Sequence, residues 1–400
     1  MQNKPIYLDH NSTTPVDPSV LEKMLPYFVD APGNASSHNH AYGWEAKAAV
    51  EKAEMQLADL LKVDPDSLIF TSGATESLNL AIKGLADRWK GLKNHIISCE
   101  TEHPAVLDTL DFLEREGWNI TRIPVDPQGA IDLEYLEMMI SEETLCVVLM
   151  WANNETGLIH PVSRIGEICQ NKNVFFCCDA TQAVGKIPVF PRENYVDLMA
   201  FSAHKFYGPK GVGALYVSKE KPRPVLRAQI HGGGHQNNLR SGTLNIPGIV
   251  GMGVAAELAR DMMTEEMVRL QNLRDLLEQY FLNNLDDVQV NGDPKSRLPH
   301  VSNLCFKLVD GEQLMGQVND VVSVSSGSAC TSADPDPSHV LLAMGLSEAD
   351  AKSSIRFSLG RSTTEDQIRK VCKVFEEKIT LLRQQNPVWE MYKSGVDLGL

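Results

Sequence analysis

The sequence predicts an α/β protein: a large domain on a mostly parallel sheet, followed by a smaller α/β domain. Three observations carry the prediction. Strand-like and helix-like stretches alternate from residue 45 to residue 260. The strands among them are nearly unbroken apolar runs such as "LCVVLM" and "VFFCC". After Gly248 the pattern changes to one long helical stretch and then a smaller mixed region, so a second domain starts near residue 260. Apolar strands separated by helices are buried on both faces, which is the habit of a parallel sheet.

In chain order, Trp44 to Leu61 repeats apolar residues at helical spacing. "SLIFTSG" is a strand running into a turn, and "ATESLNLAIKGLADRW" is a helix. "HIISCETEH" then reads as a strand, "AVLDTLDFLEREG" as a helix and "NITRIPVD" as a strand. "LCVVLMWANNETG" is a strand and loop, "VSRIGEICQNKN" a helix, and "VFFCCDATQA" a strand and loop. Asp197 to Phe201 ends one strand and Gly211 to Val217 opens another, with Phe206, Tyr207, Gly208 and Pro209 bending the chain between them. In the last third, "VSNLCFKL" and "SSIRFSLG" are strands with helices between.

Composition narrows the function classes. The chain has 400 residues, enough for two domains, and is 43% hydrophobic and 22% charged. A net charge of −15 argues against nucleic acid or an anionic membrane as the main partner. No uncharged apolar run approaches the ~18 residues of a membrane span, and "MQNKPIYLDHN" has no signal-peptide core. The eight cysteines fit no disulfide framework, zinc site or C-x-x-C pair, so the expectation is a reduced, cytoplasmic protein without a metal.

In open parallel sheets the chemistry gathers at the carboxyl ends of the strands. Those ends carry Ser72-Gly73-Ala74-Thr75, Thr101-Glu102-His103, Asn153-Asn154-Glu155, Asp179-Ala180-Thr181-Gln182 and Ser202-Ala203-His204-Lys205. The turn at Gly73 either offers helix amides to a phosphate or is an ordinary Ser/Thr N-cap. Ser202 and His204 could add hydrogen bonds to such a phosphate. Asp179, after "VFFCC", either pairs with a cation or caps a helix. His103 stacks and shuttles protons, or is structural. Arg356 alternates away from Ile355, Phe357 and Leu359, where a guanidinium suits a carboxylate. Seven cysteines sit in apolar runs, whereas Cys330 lies among Ser, Gly, Thr, Asp and Pro in "SSGSACTSADPDPSHV" and reads as a functional thiol.

Lys205 decides between two chemistries. An S-x-x-K hydrolase would use Ser202 as nucleophile, but its partner triplets S-D-N and K-T-G are absent. A pyridoxal 5'-phosphate enzyme needs an aldehyde-binding lysine, an acid for the pyridine nitrogen, a phosphate turn and a carboxylate grip. Lys205, Asp179, the Gly73 turn and Arg356 supply these together.

From "YLDHNSTTPVDPSV" to "IRFSLGRSTTEDQI", and on to "WEMYKSGVDL", the chain resembles the NifS/IscS-type cysteine desulfurases. These are class-V members of the aspartate aminotransferase (type I) fold. "TSGATESLNLAIKG", "TEHPAV", "ANNETG", "CDATQAVGKIPV", "SAHKFYGPKGVGALYV", "RSGTLNIPGIVG" and "SSGSACTS" follow in family order. The resemblance implies a large pyridoxal-phosphate domain over residues 15–259, and a small domain from residues 1–14 with 260–400. It implies a homodimer that removes sulfur from L-cysteine, leaving L-alanine and a persulfide on Cys330. Sulfur-acceptor proteins would then receive the sulfur, for iron–sulfur cluster assembly, tRNA thiolation or a related transfer.

By matched motif, Lys205 would bind the cofactor aldehyde, Asp179 the pyridine nitrogen, and His103 would stack on the ring. Asn154 and Gln182 would lie near the ring oxygen, with Asn154 also close to the substrate. Ala74, Thr75, Ser202 and His204 would hold the phosphate, with Thr243 reaching in from the other subunit. Arg356 would bind the substrate carboxylate. The alternative on the same scaffold is a selenocysteine lyase or another pyridoxal-phosphate C–S lyase. Three features depart from or subdivide the family: Ala35 replaces a common proline, the tail after "GVDL" is short for docking an iron–sulfur scaffold, and "SSGSAC" is of the long-loop kind.

Overall fold

The computed structural model describes residues 4–326 and 336–395. Among them the strands are β1 (Ile6–Tyr7), β2 (Leu68–Thr71), β3 (His95–Cys99), β4 (Asn119–Ile123), β5 (Thr144–Met150), β6 (Phe175–Asp179), β7 (Leu198–Ser202), β8 (Gly213–Val217), β9 (Val288–Val290), β10 (Val301–Phe306), β11 (Val322–Ser323), β12 (Ser325–Ser326) and β13 (Ser354–Ser358). The main sheet runs β2-β8-β7-β6-β5-β3-β4, and β8 alone is antiparallel to its neighbours. The alternating apolar runs become this sheet because each inner strand is buried on both faces. On β5, Val147 and Leu149 join one core layer with Phe176 and Cys178. Cys146 and Val148 join the other with Cys177. The helix Ala74–Trp89 has the bounds its apolar spacing predicts, and covers the second face together with Pro104–Arg115.

The helix that begins after Leu244 is longer than a domain linker requires. It runs unbroken over 39 residues, Ile246–Asn284. Met252, Ala255, Ala256 and Met263 pack into the large core, while Leu270, Leu273, Leu277 and Phe281 pack into a second core. The boundary expected near residue 260 therefore falls inside a helix, because one apolar stripe serves two cores in succession. The second core lies under a four-stranded antiparallel sheet of order β12-β13-β10-β9 and under the helix Glu365–Gln385, which starts with a Thr364–Gln367 capping box. Phe281 sits at its centre, 5.3 to 5.9 Å from the rings of Phe306, Phe357 and Phe375. Each such fully buried ring contributes roughly 1.5–3 kcal/mol.

The N-terminal segment belongs to this second core before it reaches the first. β1 pairs in parallel with β11, Leu8 is wholly buried there, and Asp9 bridges Ser358. Thr14 then donates its amide and its hydroxyl to the His204 carbonyl of the large half. Residues 9 to 14 thus form a seam between the two cores.

Candidate active site

At the carboxyl edge of the main sheet lies a cavity of 540 Å³. The walls include Ala74, Thr75, His103, Asn154, Asp179, Gln182, Ser202, His204 and Lys205. These nine predicted residues are far apart in sequence, and strand ends bring them together. Asp179 is the last residue of β6, and its Oδ1 accepts from the Thr181 amide at 2.9 Å. It caps no described helix, and it lies in the cavity wall.

Lys205 follows β7 in a 3₁₀ turn, and its Nζ donates to the carbonyls of Asn11 at 2.6 Å and Ser12 at 2.8 Å. "HIISCETEH" is a strand only to Cys99, because the chain turns there to present His103 at the N-cap of Pro104–Arg115. His103 Nδ1 accepts from the Ala105 amide at 3.0 Å, which leaves any proton of the neutral ring on Nε2. Burial lowers the His103 pKa, and the charges of Lys205 and His339 lower it further against the pull of Asp179. His204 is pushed down to about 4, chiefly by burial and then by Lys205, Lys210 and Lys186. Both imidazoles are neutral at pH 7.

The Gly73 turn is not an ordinary Ser/Thr cap. The N-cap of Ala74–Trp89 is Gly73 itself, with no side-chain hydrogen bond, so the first amides of a 16-residue helix face the cavity uncapped. An anion is favoured at such an end. Ser202 Oγ is engaged only at 3.4 Å, by the Val212 carbonyl.

Two predicted residues sit elsewhere. Thr243 is exposed just before Ile246–Asn284 and does not line the cavity of its own chain. Arg356 does not line it either: its Nη1 donates to the Asn154 carbonyl at 2.9 Å, and its Nη2 to Asp9 Oδ1 at 2.8 Å and Ser12 Oγ at 2.9 Å. The alternation that turned Arg356 away from the apolar face was right, but that face meets the seam and is itself buried. Cys330 lies outside the described residues. Sequence reasoning missed Asn11, Ser12 and Thr13, and the only signal was the polar run "DHNSTT" in an otherwise ordinary N-terminal stretch.

The residues present suit pyridoxal 5'-phosphate. An amine is placed for its aldehyde, a carboxylate for its ring nitrogen, and uncapped amides for its phosphate. In addition, Gln182 Oε1 and Thr181 Oγ1 are buried without a partner among the described residues, as acceptors and donors awaiting a polar ligand would be.

Comparison with known proteins identifies the family. Residues 6–371 match the family model for the class-V aminotransferases. The chain is 50% identical over 395 residues to cysteine desulfurase IscS of Anaeromyxobacter dehalogenans, covering 99% of this chain and 97% of that protein. Among solved structures, a NifS-like protein superposes with a TM-score of 0.88 at 37% identity, covering 94% of this chain and 100% of that one. SspA, solved in complex with cysteine, superposes at 0.78 with 34% identity over 88% and 98% of the two chains.

Proposed function

The chain belongs to the class-V aminotransferases and, within them, to the cysteine desulfurases, and from that membership we propose that it takes sulfur from L-cysteine with pyridoxal 5'-phosphate and passes it to acceptor proteins. One observation carries the reading: Lys205, Asp179, His103 and the uncapped start of Ala74–Trp89 line a single cavity.

Bound here, pyridoxal 5'-phosphate would supply an aldehyde for the substrate amine and an electron sink for the α-carbon. Lys205 would hold the aldehyde between turnovers, and its released amine would take and return the proton at the substrate α-carbon. Asp179 would keep the ring nitrogen protonated, and the neutral His103 would stack on the ring. Gln182 and Asn154 would hold the ring oxygen, while Ala74, Thr75, Ser202 and His204 would hold the phosphate. Arg356 takes the substrate carboxylate in this reading, exchanging its contacts with Asp9 and Ser12 for it. The Cys330 thiolate attacks the substrate sulfur; the C–S bond breaks, its electron pair stays with the carbon and is protonated, and alanine leaves with the persulfide on Cys330.

Thr243, exposed in its own chain, completes the phosphate site of a partner in a homodimer. Iron–sulfur cluster assembly is the use for the sulfur most in keeping with the relatives named IscS. The cytoplasm suits the seven described cysteines, all of them buried free thiols. No described helix is long and apolar enough to cross a membrane.

Alanine release from L-cysteine under a reductant, with native protein and with Cys330→Ala, tests the proposal. Native release that collapses in the variant, with the yellow colour retained, is the expected result. Equal release from the two would replace the persulfide route by a lyase, selenocysteine lyase included. Lys205→Ala should purify without the yellow band.

A further inference from the structure

Beside the Lys205 amine lies a polar cluster in which Asn11, Lys186 and His300 have no role in the proposed reaction. Its centre is Asn11, in the seam between the two cores. The Asn11 carbonyl accepts from Lys205 Nζ at 2.6 Å and from Gln182 Nε2 at 3.0 Å. The Asn11 amide donates to Ser358 Oγ at 2.9 Å, and Nδ2 donates to the Asn154 carbonyl at 2.9 Å. That last bond fixes which way the side-chain amide points, so Oδ1 faces the opposite side. There it meets His300 Nε2 at 2.9 Å and Lys186 Nζ at 3.4 Å, while Lys186 Nζ and His300 Nε2 are 3.0 Å apart.

The hydrogens of this triangle can be counted. A bare Nε2 lone pair would oppose the Asn11 oxygen at 2.9 Å, so the imidazole proton sits on Nε2 and donates to Oδ1. Lys186 donates to Oδ1 and stands beside the same imidazole nitrogen. A positive charge on this lysine is disfavoured. Its surroundings agree: burial lowers its pKa well below the usual value, Lys205 and Arg356 add to the effect, and among the described residues no carboxylate pairs with it. A half-buried lysine and a buried histidine, each costly to desolvate, are spent on the side chain of one asparagine.

We propose that Asn11, pinned by Lys186 and His300, is a positioning residue for Lys205. It fixes the two peptide carbonyls, its own and that of Ser12, which receive the Lys205 amine whenever that amine is not bound to the cofactor. The inference rests on the cofactor reading above. Without the pin, the carbonyl drifts and the amine starts its attack from a broader set of positions. A misplacement near 1 Å costs about 100-fold in rate, and partial loss of one pin should cost roughly 10-fold on the same scale.

The test starts from native protein stripped of cofactor. Pyridoxal 5'-phosphate is added, and growth of the yellow band reports the Lys205 amine adding to the aldehyde with loss of water. Asn11→Ala should slow that growth about 10-fold while reaching the native final occupancy. Its kcat for alanine release should fall in parallel, with KM for L-cysteine within about twofold. His300→Gln, which returns an N–H at similar reach, should stay within about threefold of native. Lys186→Met removes one side of the triangle and carries the test if Asn11→Ala melts early. Band growth at the native rate in Asn11→Ala, or in a Lys186→Met variant of native melting temperature, overturns the inference alone. A slowing that merely tracks lost occupancy overturns it too. A native protein that never turns yellow overturns the cofactor reading and the inference with it.

Discussion

A single methyl group at Gly213 should damage cofactor binding more than it damages the fold. Gly213 begins β8 and sits opposite both Thr71 and Ser202, the residues that lead into the two arms of the site. A Cβ there would stand 2.6 Å from Gly73 Cα, 2.7 Å from the Phe201 oxygen and 2.8 Å from the Gly73 carbonyl carbon. All three are backbone atoms, so no flexible side chain can give way. Ordinary contact begins at 3.4 Å, so the Gly73 turn must retreat by about 0.8 Å. Overpacking of this kind costs roughly 1–3 kcal/mol of stability. Gly73 is also the N-cap of Ala74–Trp89, and hydrogen bonds tolerate a window of only about 0.5 Å. Losing one charge-assisted bond to the phosphate costs about 1.5–3 kcal/mol, a 10- to 100-fold weaker cofactor. Absorbance titration of cofactor-free Gly213→Ala measures this, with Gly316→Ala, which meets open space in its helix, as the control. A folded Gly213→Ala that binds the cofactor with the native Kd would refute the reasoning.

Three further outcomes are expected. Arg297 and Glu278 form a buried bidentate pair at 2.5 and 2.6 Å, so Arg297→Ala should cost about 3–5 kcal/mol in urea unfolding, whereas Arg297→Met with Glu278→Leu should cost far less. Burial raises the Asp197 pKa from 3.8 to about 6 against its bond from the Phe176 amide. The folded protein therefore holds this proton more tightly, and the stability linked to it is present below pH 4 and lost as pH rises through about 6. Asp197→Asn should accordingly stabilise the protein by up to about 3 kcal/mol at pH 8 and hardly at all at pH 4; equal gains at both would contradict it. The lowered pKa of His103 predicts that the acid limb of kcat/KM lies below pH 6.5 and disappears in His103→Gln. A limb unchanged by that substitution belongs to another group.

The parts of the site legible in the sequence were those set by local rules. An apolar run that ends in one polar residue places that residue at a strand's carboxyl edge, and Asp179 was found this way, while Lys205 was found in the short turn that follows such an edge. Gly73 before a helical pattern marked the start of Ala74–Trp89. The parts that escaped are joined across the chain. Lys205 rests on Asn11, 194 residues away, and no periodicity reports such a contact. Arg356 was assigned to the correct side of β13, but alternation cannot tell a wet face from a second buried one. The long helix was visible as a helix, while the change of core between Met263 and Leu270 was not, since both cores ask for the same spacing.

The seam has a consequence for how the protein is made. Asn11 bonds Ser358, a residue 347 positions later, and β1 has no strand partner until Val322 and Ser323 exist. Translation delivers the large half first, and domains fold as they emerge. During that interval Asp179 and His103 can already be in place, yet the carbonyls that receive the Lys205 amine still lack the bonds that Asn11 makes with His300 and Ser358. A truncated product would thus carry most of the residues of a reactive site without the last of its geometry. Full assembly of the lysine's surroundings waits on the final third of the chain, which makes completeness of synthesis a condition for productive loading of the cofactor.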